Sequence, residues 1–452
     1  MKLARSYVQN ILLTILNITE YFLIFTTIYA FWHVSPPIRD NWVWLLGFAV
    51  PIHILRILLT KRFNAPIWIL PLFVAFWILT MVNFTNAPYH RDHYWVLVCR
   101  PLLGCWIIFY AVEWVSWRKS LVDLLFVSIV MGLIVGLLGL TTSQWHSKSD
   151  ALRVFIDALP RLPHKEFLPD AQLSFNPNEI AGAIAWLTPL CLGLVLMSLG
   201  NIQNSIQRFR YQILKSSALL ASVLLLLALF FGQSRFAIFG VLGAVTLLLM
   251  GLMWQSARRV WRWLGLGLLI IGLLVVGQVW LITQVSDEVG GTNGGGALSS
   301  RDASSIDTRL QMWQRALQMA NDYPLTGIGM SMFRFAIRTP AYQIAYFEEI
   351  NFNAPHAHNE LLQIGADFGW LGMVWWLALQ LGVAYALVQA WRNGNQTARV
   401  VAVSVGAGLL AHAVYGLGDA VTLWDRFSFL WWWLLGLAIA NWVWVRAGYG
   451  RD

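Results

Sequence analysis

Charge is the scarcest thing in this chain. Asp, Glu, Lys and Arg make up 12% of its 452 residues, against roughly 25% in a soluble domain. Cysteine is scarce too: Cys99, Cys105 and Cys191 all lie in apolar runs, so no disulfide framework is implied. There is no Walker-type loop, Rossmann glycine pattern or serine nucleophile motif, which argues against nucleotide-driven chemistry. No internal repeat is evident, which weighs against repeat-built transporter folds.

What fills the chain instead is apolar: 58% of residues are hydrophobic and 26 are Trp, a residue that favours the membrane interface. Apolar runs of about 18 residues or more read as membrane spans. They occur at about 9–32, 41–60, 66–86, 94–116, 121–140, 179–199, 214–232, 236–254, 263–284, 367–390, 399–417 and 427–446. The expected fold is therefore an all-α polytopic membrane protein of about twelve transmembrane helices. The N-terminus has Lys2 and Arg5 before its first apolar run but no small-residue cleavage site after it, so that run reads as a retained helix.

The net charge of +9 invites a nucleic-acid reading, but the positions of the charges argue against one. Lys61, Arg62, Arg118, Lys119, Arg208, Arg210, Arg258, Arg259 and Arg392 fall in short loops of one parity. The positive-inside rule makes that side cytoplasmic. Both termini are then inside, and the long segments 141–178 and 285–366 face outward, into the periplasm if the membrane is the bacterial inner one. The chain divides into spans and an outer loop over 1–284, the long loop 285–366, and three final spans over 367–452.

That long loop is the one polar stretch that no span explains. It opens with the Gly/Ser-rich VGGTNGGGALSS (289–300), part of an aperiodic linker over 287–304. Ser304 and Asp307 then signal a helix start, and Ile306, Leu310, Trp313 and Leu317 recur at helical spacing as one apolar face. Asn321–Pro324 ends that helix. A second short helix is expected at about 356–367, with Gly369 and Gly372 letting the chain turn into the next span.

Several residues at the outer face have chemical potential. His358, near the start of the second short helix, can take a proton from a hydroxyl near neutral pH; a plain interfacial histidine is the competing reading. His356 raises a metal reading, but ligands two apart do not share a helix face, and Glu360 alone does not complete a set, so no metal and no cofactor is expected. Arg235 follows the polar break GQSR (232–235) at a span edge, where arginine either snorkels to headgroups or grips a phosphate bidentately. Arg309 opposes the dipole in the first turn of its helix, a small cost that hints at function; a salt bridge is the alternative. Arg315 and Arg334 are weaker candidates in the same loop. Arg100, inside its span, must face the bundle interior or water. Asn176 and Asn178, in NPNE, suit the cap of the sixth span. Asp419 is either a helix cap or an acid orienting a catalytic group, and Asp425 and Arg426 are able to pair with each other.

The topology puts Arg235, Arg309, His358 and Asp419 on one side of the membrane. His358-Asn359 followed by nine residues and then Gly369-x-x-Gly372 resembles the histidine motif of the O-antigen ligase and polymerase family of bacterial membrane glycosyltransferases. Arg309, in TRLQMWQRALQMANDYPLTGIG, resembles the loop arginine of that family. The other arginine of the family is followed four residues later by leucine, whereas Arg235 is followed by Phe239. Asn176, Asn178, Asn359 and Asp419 resemble family positions less specifically. The resemblance implies transfer of a glycan from an undecaprenyl-diphosphate carrier to a lipid or glycan acceptor at the outer face of the inner membrane. Arg235 and Arg309 would bind the diphosphate and His358 would be the general base. The acceptor separates two versions, a ligase and a polymerase of repeat units. A solute transporter, such as one for bicarbonate, is the third reading, against which the nearly charge-free middles of the spans stand.

Overall fold

The computed structural model describes residues 2–32, 42–86, 94–142, 177–197, 205–232, 234–254, 306–344, 354–421, 423 and 425–451. Among these the secondary structure is helical, as expected. Eleven long helices are α1 (Lys2–Trp32), α2 (Trp42–Thr60), α3 (Ile69–Asn86), α4 (Tyr94–Arg118), α5 (Val122–Thr142), α6 (Pro177–Leu196), α7 (Ser205–Gly232), α8 (Arg235–Trp254), α11 (Glu360–Asn393), α12 (Gln396–Tyr415) and α13 (Ser428–Arg446). Between α8 and α11 come α9 (Ile306–Asp322) and the single turn α10 (Phe333–Ala336). Nine described helices, α3 to α8 and α11 to α13, are long and apolar enough to cross a membrane, while α1 and α2 carry shorter apolar stretches. The chain is an all-α polytopic membrane protein. The span expected at 263–284, the linker 287–304 and Asn176 lie outside the described residues.

Burial separates the centre from the rim. In α4 and α13, 89% of the apolar window is covered by protein, against 33% in α8 and 28% in α3. The two buried helices pack along each other, and small residues make this close approach possible: Gly104 leaves room for the Trp432 indole, and Gly436 lies against Ile108 and Ala111. On the other side α12 fits between α6 and α8. There Gly240 lies against the Ala411 backbone and Gly408 against that of Trp186. Leu219, Leu220, Val374 and Leu381, on the outward faces of α7 and α11, stay exposed, as a lipid-facing surface requires.

The loop helix α9 lies on α11, but rotated from the expected face. Met312, Ala316, Met319 and Ala320 are buried, whereas Leu310 and Leu317 are 44% and 39% exposed. Small and unbranched side chains allow close approach: the Ala320 methyl would sit 3.5 Å from a Cβ at Gly365. Periodicity shows that a helix is amphipathic, but α9 offers two apolar stripes, and the one that packs is the one shaped to its neighbour.

Candidate functional site

The expected short helix and the tenth span form one rod, α11, bent at Gly369 (φ 71°). A Cβ at Gly369 would come 2.5 Å from the Pro324 carbonyl, so only glycine fits there. The bend is stitched to the segment after α9: the Trp370 amide donates to Pro324 O at 2.9 Å and the Ile328 amide to Ala366 O at 2.9 Å. Asn83, at the outer end of α3, clamps the same place. Its Nδ2 donates to Thr326 O (2.7 Å) and Asp367 O (2.6 Å), and its Oδ1 accepts from the Met330 amide (3.2 Å). This polar residue in an apolar span is a signal the sequence reading passed over.

At the start of α11 the backbone does something unusual. Asn359 caps the helix, its Oδ1 accepting from the Leu362 amide at 3.1 Å, and its Nδ2 donates to Leu417 O at 3.3 Å. His358, just before it, has φ 51°, a left-handed conformation that non-glycine residues adopt at a cost. Its surroundings hold it there. The Trp313 indole of α9 donates to His358 O (3.3 Å), and the His358 amide donates to His356 Nδ1 (3.3 Å). The Ala357 amide donates to Gln363 Oε1 (2.8 Å), and Gln363 Nε2 donates to Asp367 Oδ1 (2.8 Å).

This conformation turns the His358 ring onto Asp419, with Nδ1 3.0 Å from Oδ1. The carboxylate also accepts from the Ala420 amide at 2.9 Å. Burial would raise the Asp419 carboxyl, but His358 beside it, their hydrogen bond, His356 and Arg309 together hold it well below the usual carboxylate range. An ionised carboxylate only accepts, so His358 donates through Nδ1 and Nε2 carries the lone pair. The His358 side chain is 20% exposed and that of Asp419 8%, so the imidazole is the member of the pair that a substrate can reach.

Arg309 joins the same cluster from α9. Its guanidinium stacks 5.4 Å from the centre of the Phe236 ring, on the first turn of α8 beside Arg235. Burial lowers its pKa; Asp419 and Tyr415 act the other way and Arg235 adds to the lowering. Arg309 is thus within electrostatic reach of both Arg235 and Asp419, and it links the start of α8 to the His358–Asp419 pair. Arg235 itself is exposed. The Tyr415 hydroxyl donates to Asn178 O at 2.9 Å, tying the start of α6 to the end of α12. Asn178 thus contributes its carbonyl to this junction.

Arg100 is buried, 4% exposed, on α4. It feels Asp425, Arg426 and Glu179 rather than the histidine pair. Arg426 pairs with Glu179 at 3.1 Å, and Asp425 Oδ1 accepts from the Phe427 amide. Arg315 is structural, bonded to Gln318 and Gln343 O.

The metal reading needs one correction. Spacing left His356 and His358 without a third ligand, yet Asp419 brings one: the three offer donor atoms within 4.8 Å of one another. Neither histidine sits on a helix, so the helical spacing argument does not apply. His356 Nε2 lies 3.8 Å from Asp419 Oδ1. A cation there would break the His358–Asp419 hydrogen bond and face the guanidinium groups of Arg309 and Arg334, which both act on His356.

No curated protein matches the chain. Residues 220–377, which hold Arg235, Arg309, His356, His358 and Asn359, match the family model described as O-antigen ligase, and over those residues the chain carries an O-antigen ligase domain.

Proposed function

We propose that this protein is a membrane glycosyltransferase of the ligase type. It would move a glycan from an undecaprenyl-diphosphate carrier to an acceptor hydroxyl at the outer face of the bacterial inner membrane, with both termini in the cytoplasm. The acceptor oxygen attacks the anomeric carbon of the glycan while its proton passes to His358 Nε2. The bond between that carbon and the diphosphate oxygen breaks, its electron pair leaving with the diphosphate, so direct displacement inverts the anomeric centre. Arg235 and Arg309 bind the diphosphate and neutralise the charge that develops on it. Asp419 is the positioning residue, setting the tautomer of His358 and stabilising the imidazolium.

The observation that carries this reading is the 3.0 Å His358–Asp419 hydrogen bond beside a guanidinium: a base with its free nitrogen aimed away from a carboxylate and an anion site next to it. In this reading the segment 285–366 supplies Arg309 and His358, and the spans of 1–284 and 367–452 supply Arg235 and Asp419. The test is the surface-glycan profile of a strain carrying His358→Ala, with the variant confirmed in the membrane. Loss of long surface glycan with its accumulation on the lipid carrier is the expected result. Accumulation of single repeat units instead identifies a polymerase, and an unchanged profile overturns the glycosyltransferase reading.

A further inference from the structure

On the membrane face opposite the histidine site, helix α1 stands apart. It packs chiefly on α2 and α4, and between it and α5 and α7 a cleft of about 870 Å³ remains. One wall is Ile18, Phe22 and Phe25 of α1; the facing wall is Phe126 of α5 and Ile213 of α7. Thr14 to Phe25, both lining the cleft, spans roughly 16 Å at 1.5 Å per residue, the depth of one leaflet of a ~30 Å hydrocarbon core.

The cleft is apolar along its length and charged at one end. Arg118, at the end of α4, and Arg210, in the first turns of α7, both line it. They share Asp123, with Arg118 Nε 3.1 Å from Oδ2 and Arg210 Nη2 3.4 Å from Oδ1. The Trp114 indole donates to the same carboxylate at 3.3 Å. The two arginine side chains are 42% and 54% exposed, so both have room for a further anion. Asn17 also lines the cleft; it is 2% exposed, and its Nδ2 is buried with no hydrogen-bond partner among the described residues. Its Oδ1 is taken by Arg56, so what this position still offers is a donor.

We infer that this cleft is a binding site for one anionic glycerophospholipid of the cytoplasmic leaflet. The phosphate sits between Arg118 and Arg210, an ester carbonyl accepts from Asn17 Nδ2, and one acyl chain lies between α1 and the α5–α7 wall. The net charge of the arginine–carboxylate trio favours an anion, and the trio stands where positive-inside asymmetry places the anionic leaflet. A neutral apolar surface would have no use for the paired guanidinium groups, and a soluble anion none for the apolar walls. The bound lipid fills the seam that the described residues leave between α1 and the α5–α7 wall.

The experiment is native mass spectrometry of the full chain in non-ionic detergent, titrated with phosphatidylglycerol or with phosphatidylcholine of the same acyl chains. One phosphatidylglycerol is expected to bind in preference to phosphatidylcholine. Arg118→Gln with Arg210→Gln should weaken it by roughly 30-fold, the effect of two basic groups near an anionic surface. Asp123→Asn removes the competing carboxylate and should tighten it. Equal binding of the two lipids overturns the proposal, as does an affinity that Asp123→Asn leaves unchanged or lowers; this second variant decides even where the arginine pair is needed for folding.

Discussion

His358 donates to Asp419 at 3.0 Å across 61 residues of chain, and each is held by a different element. His358 depends on a left-handed turn before α11; Asp419 depends on the loop after α12, where its amide donates to Tyr415 O at 3.0 Å. Asp419→Asn keeps the shape and removes the charge. The amide can then donate to Nδ1, which turns the imidazole into the wrong tautomer. The turnover number should fall about 10²- to 10⁴-fold with membrane abundance unchanged. A Glu replacement that restores part of the rate and of the acidic arm of the pH profile, the arm a general base sets, would mark Asp419 as positioning rather than merely structural.

Arg309 and Arg235 are expected to act through geometry as well as charge. A lysine keeps the charge but loses the planar fork and the stack on Phe236. Arg309→Lys should therefore lower kcat/KM for the lipid donor by about 10- to 100-fold and leave KM for the acceptor nearly unchanged. Equal effects on both substrates would move Arg309 out of the donor site.

Much of this arrangement was legible in the sequence, and the parts that were not share a cause. The described spans were readable because a membrane demands long apolar helices. The histidine motif was readable because its spacing is local. The roles of Asn83, Gln363 and Phe236, and that of Trp313 beyond its place on an apolar face, are not legible in the sequence because they exist only through contacts with other segments. The Asn83 amide, for instance, bridges α3 to a carbonyl 284 residues away. The buried face of α9 was misread for the same reason, since Met312 and Ala316 are chosen by the surface of α11 and not by their own hydrophobicity. The third donor beside His356 and His358 came from Asp419, which no spacing rule connects to them.

Asn83 offers a stability test of that bridging role. Asn83→Ala leaves two carbonyls and one amide without their partner at a buried joint, a loss of about 3 kcal/mol. The apparent Tm in detergent should drop by several degrees. Activity should fall too, because the joint sets the direction of α11 and with it the cap that carries His358. A variant with wild-type Tm would show that solvent reaches this joint.

His356 makes the molecule sensitive to acid. Burial, with help from the neighbouring His358, Arg334 and Arg309 and against the pull of Asp419, pushes it from 6.5 down to about 3. The folded protein thus holds His356 neutral while the unfolded chain protonates it. Between those two values the unfolded state binds more protons, so stability rises with pH and is lost as pH falls below about 6.5, by about 1.4 kcal/mol per unit once well below it. His356→Gln removes this proton uptake. The difference in apparent Tm between the variant and the wild type should therefore shift in favour of the variant from pH 7 to pH 5. Asp419 adds no pH dependence between pH 7 and pH 5, since its depressed carboxyl is ionised in both states there; its stabilising contribution stays whole and is lost only once pH falls into the ordinary carboxylate range and below. A pH-independent difference would mean that His356 is solvated, and that the hydrogen bond from the His358 amide to its Nδ1 does not fix it in the neutral form.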